Sequence, residues 1–153
     1  MTIREAAEHD APTLLRLMQM AFQEYDGVLD PPSGAHTETI ETVKRKLAAG
    51  GAALALRDER PVGFAFYEPY GDSLYFGRLS VLPEFRNQGI GGALLNYVEQ
   101  RASETGAAGV TLGVRLQLPH LIARYEKLGY RITKYMTHAG YDAPTYVFMD
   151  KRW

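Results

Sequence analysis

Apolar and polar positions along the chain switch between two periods, and the switches mark its elements. Thr2–Glu5 is long enough for a short first strand. After Asp10, placed as an N-cap with Pro12 in the first turn, Leu14, Met18, Ala21, Phe22 and Tyr25 fall at the spacing of one helix face. Asp26-Gly27 ends that helix, and Asp30-Pro31-Pro32-Ser33-Gly34 is a loop that regular structure does not tolerate. Ile40, Val43 and Leu47 mark a second helix, stopped by Gly50-Gly51. The period then shortens. Ala52–Arg57, Val62–Tyr70 and Ser73–Leu82 read as strands, separated by Asp58-Glu59-Arg60-Pro61 and by Gly71-Asp72, and such short turns predict an antiparallel meander.

Helical spacing returns from about Gln88 to Glu104, with Gly91, Leu94, Leu95, Val98 and Ala102 on one face and Gly106 and Gly109 closing it. Val110, Leu112 and Val114 alternate as a strand. Pro119 then starts a helix bearing Leu121, Ile122, Tyr125 and Leu128, capped by Gly129. Tyr130–Thr137 and Thr145–Asp150 read as two final strands, joined by a loop through His138, Gly140, Tyr141 and Asp142. The predicted order is β-α-α-β-β-β-α-β-α-β-β, with no repeat, linker or low-complexity segment. It is a mixed α/β (α+β) pattern.

Composition narrows the classes without choosing among them. At 153 residues the chain has a common domain size and predicts one domain over residues 1–153. A chain of that length buries about 68–70% of its unfolded surface, enough for a core without staples. It has no cysteine, which removes disulfides, thiolate metal sites and a cysteine nucleophile together. Lys and Arg number 17 against 18 Asp and Glu, spread without blocks, so a basic footprint for nucleic acid or an anionic membrane is missing. The first ten residues lack the apolar core of a signal peptide, and no apolar run approaches the ~18 residues that span a bilayer. A soluble cytoplasmic protein is expected. His9, His36, His120 and His138 are scattered without ligand spacing and read as surface or capping residues, so no metal is expected.

The chemistry concentrates in residues 79–95, Leu-Ser-Val-Leu-Pro-Glu-Phe-Arg-Asn-Gln-Gly-Ile-Gly-Gly-Ala-Leu-Leu. A strand ends at Pro83, and Arg86-x-x-Gly89-x-Gly91-Gly92 opens a helix. A glycine-rich strand-to-helix turn exposes backbone N–H groups at the positive end of the helix, which suits a phosphate or pyrophosphate. A Cβ there would hold a bulky anion away. The spacing is neither a nucleoside-triphosphate loop nor a dinucleotide fingerprint.

This run resembles the acyl-CoA-binding signature of the GNAT superfamily of N-acetyltransferases: Arg or Gln, then Gly-x-Gly/Ala, after a strand ending in Val-x-Pro. The resemblance covers essentially the whole chain. It implies a mixed, mostly antiparallel central sheet of about seven strands flanked by four helices. It also implies acetyl-CoA as donor substrate, contacted by Leu79, Ser80, Val81, Arg86, Asn87, Gln88, Gly89, Ile90, Gly91 and Gly92. Val81 N–H is the implied oxyanion and pantetheine contact. The N–H groups from Asn87 through Gly92 are the implied pyrophosphate site.

A second segment, Leu121-Ile-Ala-Arg-Tyr-Glu-Lys-Leu-Gly-Tyr130, resembles the family's Tyr-Glu-Lys-Leu-Gly-Phe stretch, whose tyrosine lies beside the CoA sulfur. By periodicity alone Tyr125 is a core position on the stripe of Leu121, Ile122 and Leu128. The resemblance makes it the candidate acid for the departing thiolate, since a phenol within hydrogen-bond reach can supply that proton.

Two positions depart from the family. Many relatives carry an acidic residue on the fourth strand just before Val-x-Pro, where this chain has Gly77 and Arg78. Leu118 stands where relatives often have Asn. Glu84 lies in the loop beyond the strand, a solvated position. Glu24, Asp26, Glu68, His138 and Asp142 are spare candidates for a base, and a water relay is equally open, so no base is assigned. Arg78, predicted on the face opposite Leu79 and Val81, and Arg115 are candidate contacts for an anionic group on the acceptor. The alternative for each is an exposed or locally paired arginine. The acceptor is sought at the Tyr25–Ala35 and His138–Ala143 loops. The expected activity is acetyl transfer from acetyl-CoA to a primary amine of a small molecule or a peptide or protein, by direct attack in a ternary complex. The alternative is an acyl-CoA-binding regulatory module with little turnover. A homodimer is also open to such a domain.

Overall fold

The computed structural model describes residues 1–153. Its strands are β1 (Thr2–Glu5), β2 (Gly51–Arg57), β3 (Arg60–Tyr70), β4 (Ser73–Val81), β5 (Gly109–Arg115), β6 (Arg131–Met136) and β7 (Tyr146–Arg152). Its α-helices are α1 (Ala11–Phe22), α2 (Ile40–Ala49), α3 (Ile90–Glu104) and α4 (Pro119–Lys127). The seven strands form one sheet in the order β1-β2-β3-β4-β5-β7-β6, and only β4 and β5 run parallel. This is the mixed, mostly antiparallel sheet with four helices that the family resemblance implies.

Alternation along the strands divides the core into two layers. Ala53, Ala55, Ala65, Leu74, Phe76, Leu112 and Met149 face Leu94, Leu95, Val98 and Ala102 of α3. Ala52, Leu54, Phe64 and Phe66 face Leu14, Leu17 and Met18 of α1 and Val43 of α2. Both faces of β2 and β3 are therefore covered, which is why β2 reads as a continuous apolar run rather than as an alternation.

Element order follows the sequence reading, while several ends move for local reasons. The first helix was expected to reach Tyr25 but stops at Phe22, and Gln23–Tyr25 tightens into a 3-10 turn. The motif helix begins at Ile90 rather than Gln88, because Gly89 sits at φ 81° and cannot be its first helical residue. Asp10 does stand at the N-cap of α1, yet its carboxylate makes no cap bond there. It turns back instead, accepting from Arg4 Nη1 at 2.9 Å, Arg4 Nη2 at 3.0 Å and Ala7 N–H at 2.7 Å.

The Arg4 bonds, together with Ala7 N–H, hold the Asp10 carboxyl below the ordinary carboxylate range. A depressed folded-state pKa adds stability that is present above the unfolded value of about 4 and lost as pH falls through the folded one. Asp10→Ala should therefore lower unfolding free energy by about 1–3 kcal/mol at pH 7. Denaturant melts of the two proteins should converge as the solution is acidified through the lowered pKa of Asp10.

The largest departure from regular structure lies in β4. Phe66 pairs with Gly77 and Phe64 with Ser80, so Ala65 alone opposes both Arg78 and Leu79. Arg78 is the inserted residue, at φ 55°. Such a bulge bends its strand and raises the local twist. Pairing between β4 and β5 ends at Phe76 and Leu112, two residues before Arg78. Beyond that point the two strands part, and the gap between them opens the molecule's main cleft.

Candidate active site

The cleft has a volume of 1280 Å³ and is walled by Gly77–Leu79 and Val81 of β4, Leu112–Arg115 of β5, the start of α3, and α4. Its second rim is the chain between α1 and α2 together with His138 and Ala139.

The floor on the α3 side is a row of unused donors. Helix hydrogen bonding begins with Ala93 N–H to Gly89 C=O, and no side chain caps α3. The N–H groups of Asn87, Gln88, Gly89, Ile90, Gly91 and Gly92 consequently find no acceptor in the protein. Orphan donors at a helix start, joined to the positive end of the helix dipole, favour an anion. Asn87 at φ 61° and Gly89 at φ 81° fold the loop so that it leads into the helix. A Cβ built on Gly92 or Gly89 meets nothing within 4 Å, and one on Gly91 meets only Leu79 Cδ2 at 3.5 Å. The space above the donors is thus open, and a bulky anion such as a pyrophosphate can approach the backbone.

Two side chains of this loop, those of Arg86 and Gln88, are occupied elsewhere. Arg86 donates from Nη2 to Ala21 C=O at 3.0 Å and from Nε to Val81 C=O at 3.3 Å, and its Nη1 lies 2.8 Å from Glu24. It staples the last turn of α1 to the end of β4, where a cation also complements the helix C-terminus. Gln88 binds Arg57 Nη1 at 2.7 Å and is turned away from the cleft. Only the backbone of Gln88 remains available.

Along β4, Leu82 N–H donates to Val62 C=O at 2.9 Å. Alternation then directs Ser80 N–H to β3, and sends Leu79 and Val81 N–H to the edge facing the gap. Ser80 is fully buried, its hydroxyl donating to Arg78 C=O at 2.8 Å. Leu79 and Val81 line the cleft, and Ser80 between them does not.

Tyr125 lies across the gap from this edge. The half-buried ring packs with Leu121 and Ile122 against the core and meets the Tyr130 ring edge-on at 6.0 Å. Its hydroxyl has no partner in the protein and the residue lines the cleft, whereas Tyr130 OH is tied to Glu99 at 2.8 Å. Burial pushes the Tyr125 phenol up to about 12. Core packing and an open hydroxyl thus coexist in one side chain. Leu128, expected on the same apolar stripe, is 42% exposed at the cleft mouth.

The rim opposite α3 brings together the two loops singled out in the sequence. Arg115 Nη1 donates to Pro31 C=O at 2.6 Å and its Nη2 to Pro32 C=O at 3.3 Å. Tyr141 OH donates to Asp30, and Asp30 N–H donates to Gln117 at 3.1 Å. Arg78 does face away from Leu79 and Val81, bonding Glu38 through Nε at 3.2 Å. Glu38 was missed by sequence reasoning. Its side chain is only 5% exposed, and Lys46 reaches it at 2.8 Å. No spacing signal links these residues, since Glu38 lies in a loop and its partners on a helix and a strand.

The spare base candidates separate clearly. Glu24 is held by Arg86, and Asp26 and Asp142 do not line the cleft, while Glu68 and His138 do. His138 is lowered from the ordinary imidazole value by burial, then by the Arg115 charge, and so is neutral at pH 7. Its Nδ1 is hydrogen-bonded to Thr145 Oγ1. No helix is long and apolar enough to cross a membrane.

Comparison with known proteins gives a consistent result. The family model described as "Acetyltransferase (GNAT) family" matches residues 14–130. The PaiA N-acetyltransferase of Thermoplasma acidophilum, solved in complex with coenzyme A, superposes with TM-score 0.83 at 19% identity, covering 99% of this chain and 98% of that one. An aminoglycoside 6'-acetyltransferase type Ii superposes with TM-score 0.77 at 25% identity, covering 99% of this chain and 97% of that one. The ribosomal-protein-S18-alanine N-acetyltransferase of Escherichia coli does so with TM-score 0.76 at 22% identity, covering 99% and 92%.

Proposed function

The chain belongs to the GNAT acetyltransferase family, and we propose from this that it transfers an acetyl group from acetyl-CoA to a primary amine by direct attack in a ternary complex. The observation that carries the reading is the unbroken row of free N–H groups at the start of α3, opening onto the gap between β4 and β5. Acetyl-CoA supplies the acetyl group as a thioester. The backbone from Asn87 to Gly92 holds its pyrophosphate, and the edge at Leu79 and Val81 pairs with the pantetheine arm. Val81 N–H donates to the carbonyl oxygen as charge develops there. Tyr125 gives its proton to the departing sulfur.

The attacking amine must be neutral, although an alkyl ammonium has a pKa near 10.4. Neighbouring like charges disfavour the ammonium, and Arg78 and Arg115 supply two at the cleft wall. That bias, with water carrying the proton away, relieves the need for a carboxylate at Gly77 or Arg78. A second reading, an acyl-CoA-binding module with little turnover, draws on the same missing carboxylate and on Leu118 in the cleft wall.

A thiol-release screen separates the two. With acetyl-CoA present, free thiol should appear in proportion to acetylated amine for at least one class among amino acids, polyamines, aminoglycosides and peptides. Ligand-induced stabilisation without thiol release across that panel would favour the binding module.

A further inference from the structure

Two guanidinium groups on the acceptor side of the cleft remain without a full set of partners. The bulge turns Arg78 onto the α1–α2 side, where its Nε meets Glu38 while neither Nη finds an acceptor in the protein. Glu38 is shared with Lys46, so a single carboxylate answers two cations. Arg115 is held by neutral carbonyls alone, those of Pro31 and Pro32, with no carboxylate within ion-pair distance. These bonds fix the orientation of its fork and leave Nε and one N–H on each Nη unused. Both side chains reach the same loop, Arg115 at Pro31 and Pro32 and Arg78 at Gly34, where an added Cβ would meet its Nη2, and both line the cleft.

The other charges nearby offset this pair only in part. Asp30, which accepts from Tyr141, keeps its charge in the field of Arg115; Glu24 is bound by Arg86, and Glu68 is the remaining carboxylate on the cleft wall. Lys46 and Arg124 also line the cleft. A polycationic acceptor would meet repulsion here. Forked donors held in place without a full partner set suit a planar or tetrahedral oxyanion.

We propose that Arg78 and Arg115 form an anion subsite for the acceptor, and that the acceptor is a primary amine carrying a carboxylate or phosphate group. This deepens the acetyl-transfer reading and rests on it. The subsite sets which amine is accepted. It takes no part in donor binding, which uses the backbone from Asn87 to Gly92 and the edge at Leu79 and Val81.

The test compares kcat/KM for matched amines that differ in the anion: L-amino acids and their amides, Gly-Gly and its amide, and O-phosphoethanolamine and ethanolamine, with spermidine as the polycation. The acid member of at least one pair should exceed its neutral partner by about tenfold or more, as expected for charge-assisted hydrogen bonds. The carboxylate and phosphate pairs show which oxyanion is preferred. Arg115→Gln and Arg78→Gln should each collapse that ratio by about tenfold, chiefly through KM. Arg115→Lys should restore only part of it, because an ammonium lacks the fork.

Arg115→Gln also loosens the contact with Pro31 and Pro32, so Arg78→Gln, which leaves those bonds intact, is the second probe. Acetyl-CoA titration of both variants checks that the donor site is formed. A preference for amides or spermidine, or a ratio unchanged in both variants, overturns the subsite while leaving acetyl transfer standing. Failure of every amine to raise thiol release above the rate in water removes the acetyl-transfer reading, and the subsite with it.

Discussion

Tyr125→Phe should lower kcat by about 100-fold or more while KM for acetyl-CoA stays within a few-fold of wild type, as for a general acid that acts only in the transition state. The expectation comes from the isolation of the hydroxyl. It bonds to nothing in the protein, so deleting it leaves no buried partner unsatisfied and should leave thermal stability unchanged. A loss of rate then reports chemistry and not a damaged fold. The pH dependence sharpens the point. Because burial pushes the phenol up to about 12, Tyr125 stays protonated and able to donate through pH 10. The wild type should show no fall in kcat on the basic side that disappears in Tyr125→Phe. A variant with wild-type kcat at saturating amine would remove Tyr125 from the acid role.

Gly91→Trp should weaken acetyl-CoA binding by about 100-fold or more, the cost of losing two or more charge-assisted hydrogen bonds of about 1.5–3 kcal/mol each. A Cβ at this position meets only Leu79 Cδ2 at 3.5 Å, an ordinary contact, so the backbone has no reason to move. Tryptophan is also a better helix residue than glycine, by a few tenths of a kcal/mol. The unliganded variant should melt at or slightly above the wild-type temperature. The indole instead fills the space above the donors, and the stabilisation that acetyl-CoA gives the wild type should vanish. Calorimetric titration with an unchanged Kd would move the donor site away from this turn.

Local signals carried much of the architecture. The period changes at Gly50-Gly51 and Gly71-Asp72 gave the meander, and Gly89-x-Gly91-Gly92 after the strand located the donor row. Those signals are local because a helix start and a tight turn are set by neighbours in sequence. The bulge at Arg78 was not legible. An inserted residue shows only against its partner strand, and Phe64–Phe66 gives no hint of it. Arg86 was read as a cofactor contact because it sits in the motif, whereas its guanidinium is committed to Ala21 and Glu24 in the first helix region. Ser80 belonged to the same run, and strand phase alone separates it from Leu79 and Val81. Glu38 escaped notice for the same reason as the bulge: its role exists only through Arg78 and Lys46, brought to it by folding. The row of free N–H groups is thus built from contiguous backbone and could be read. On the opposite rim Arg78, Arg115 and the two loops could be named from the sequence, but the contacts that join them exist only after folding.

The most direct test of the account is to follow acetyl-CoA and amine together, measuring free thiol and acetylated product in the same reaction. One thiol should be released for each amine acetylated, at a rate that saturates in both substrates. Acetyl-CoA binding with no thiol release above the rate in water, for every amine offered, would contradict it.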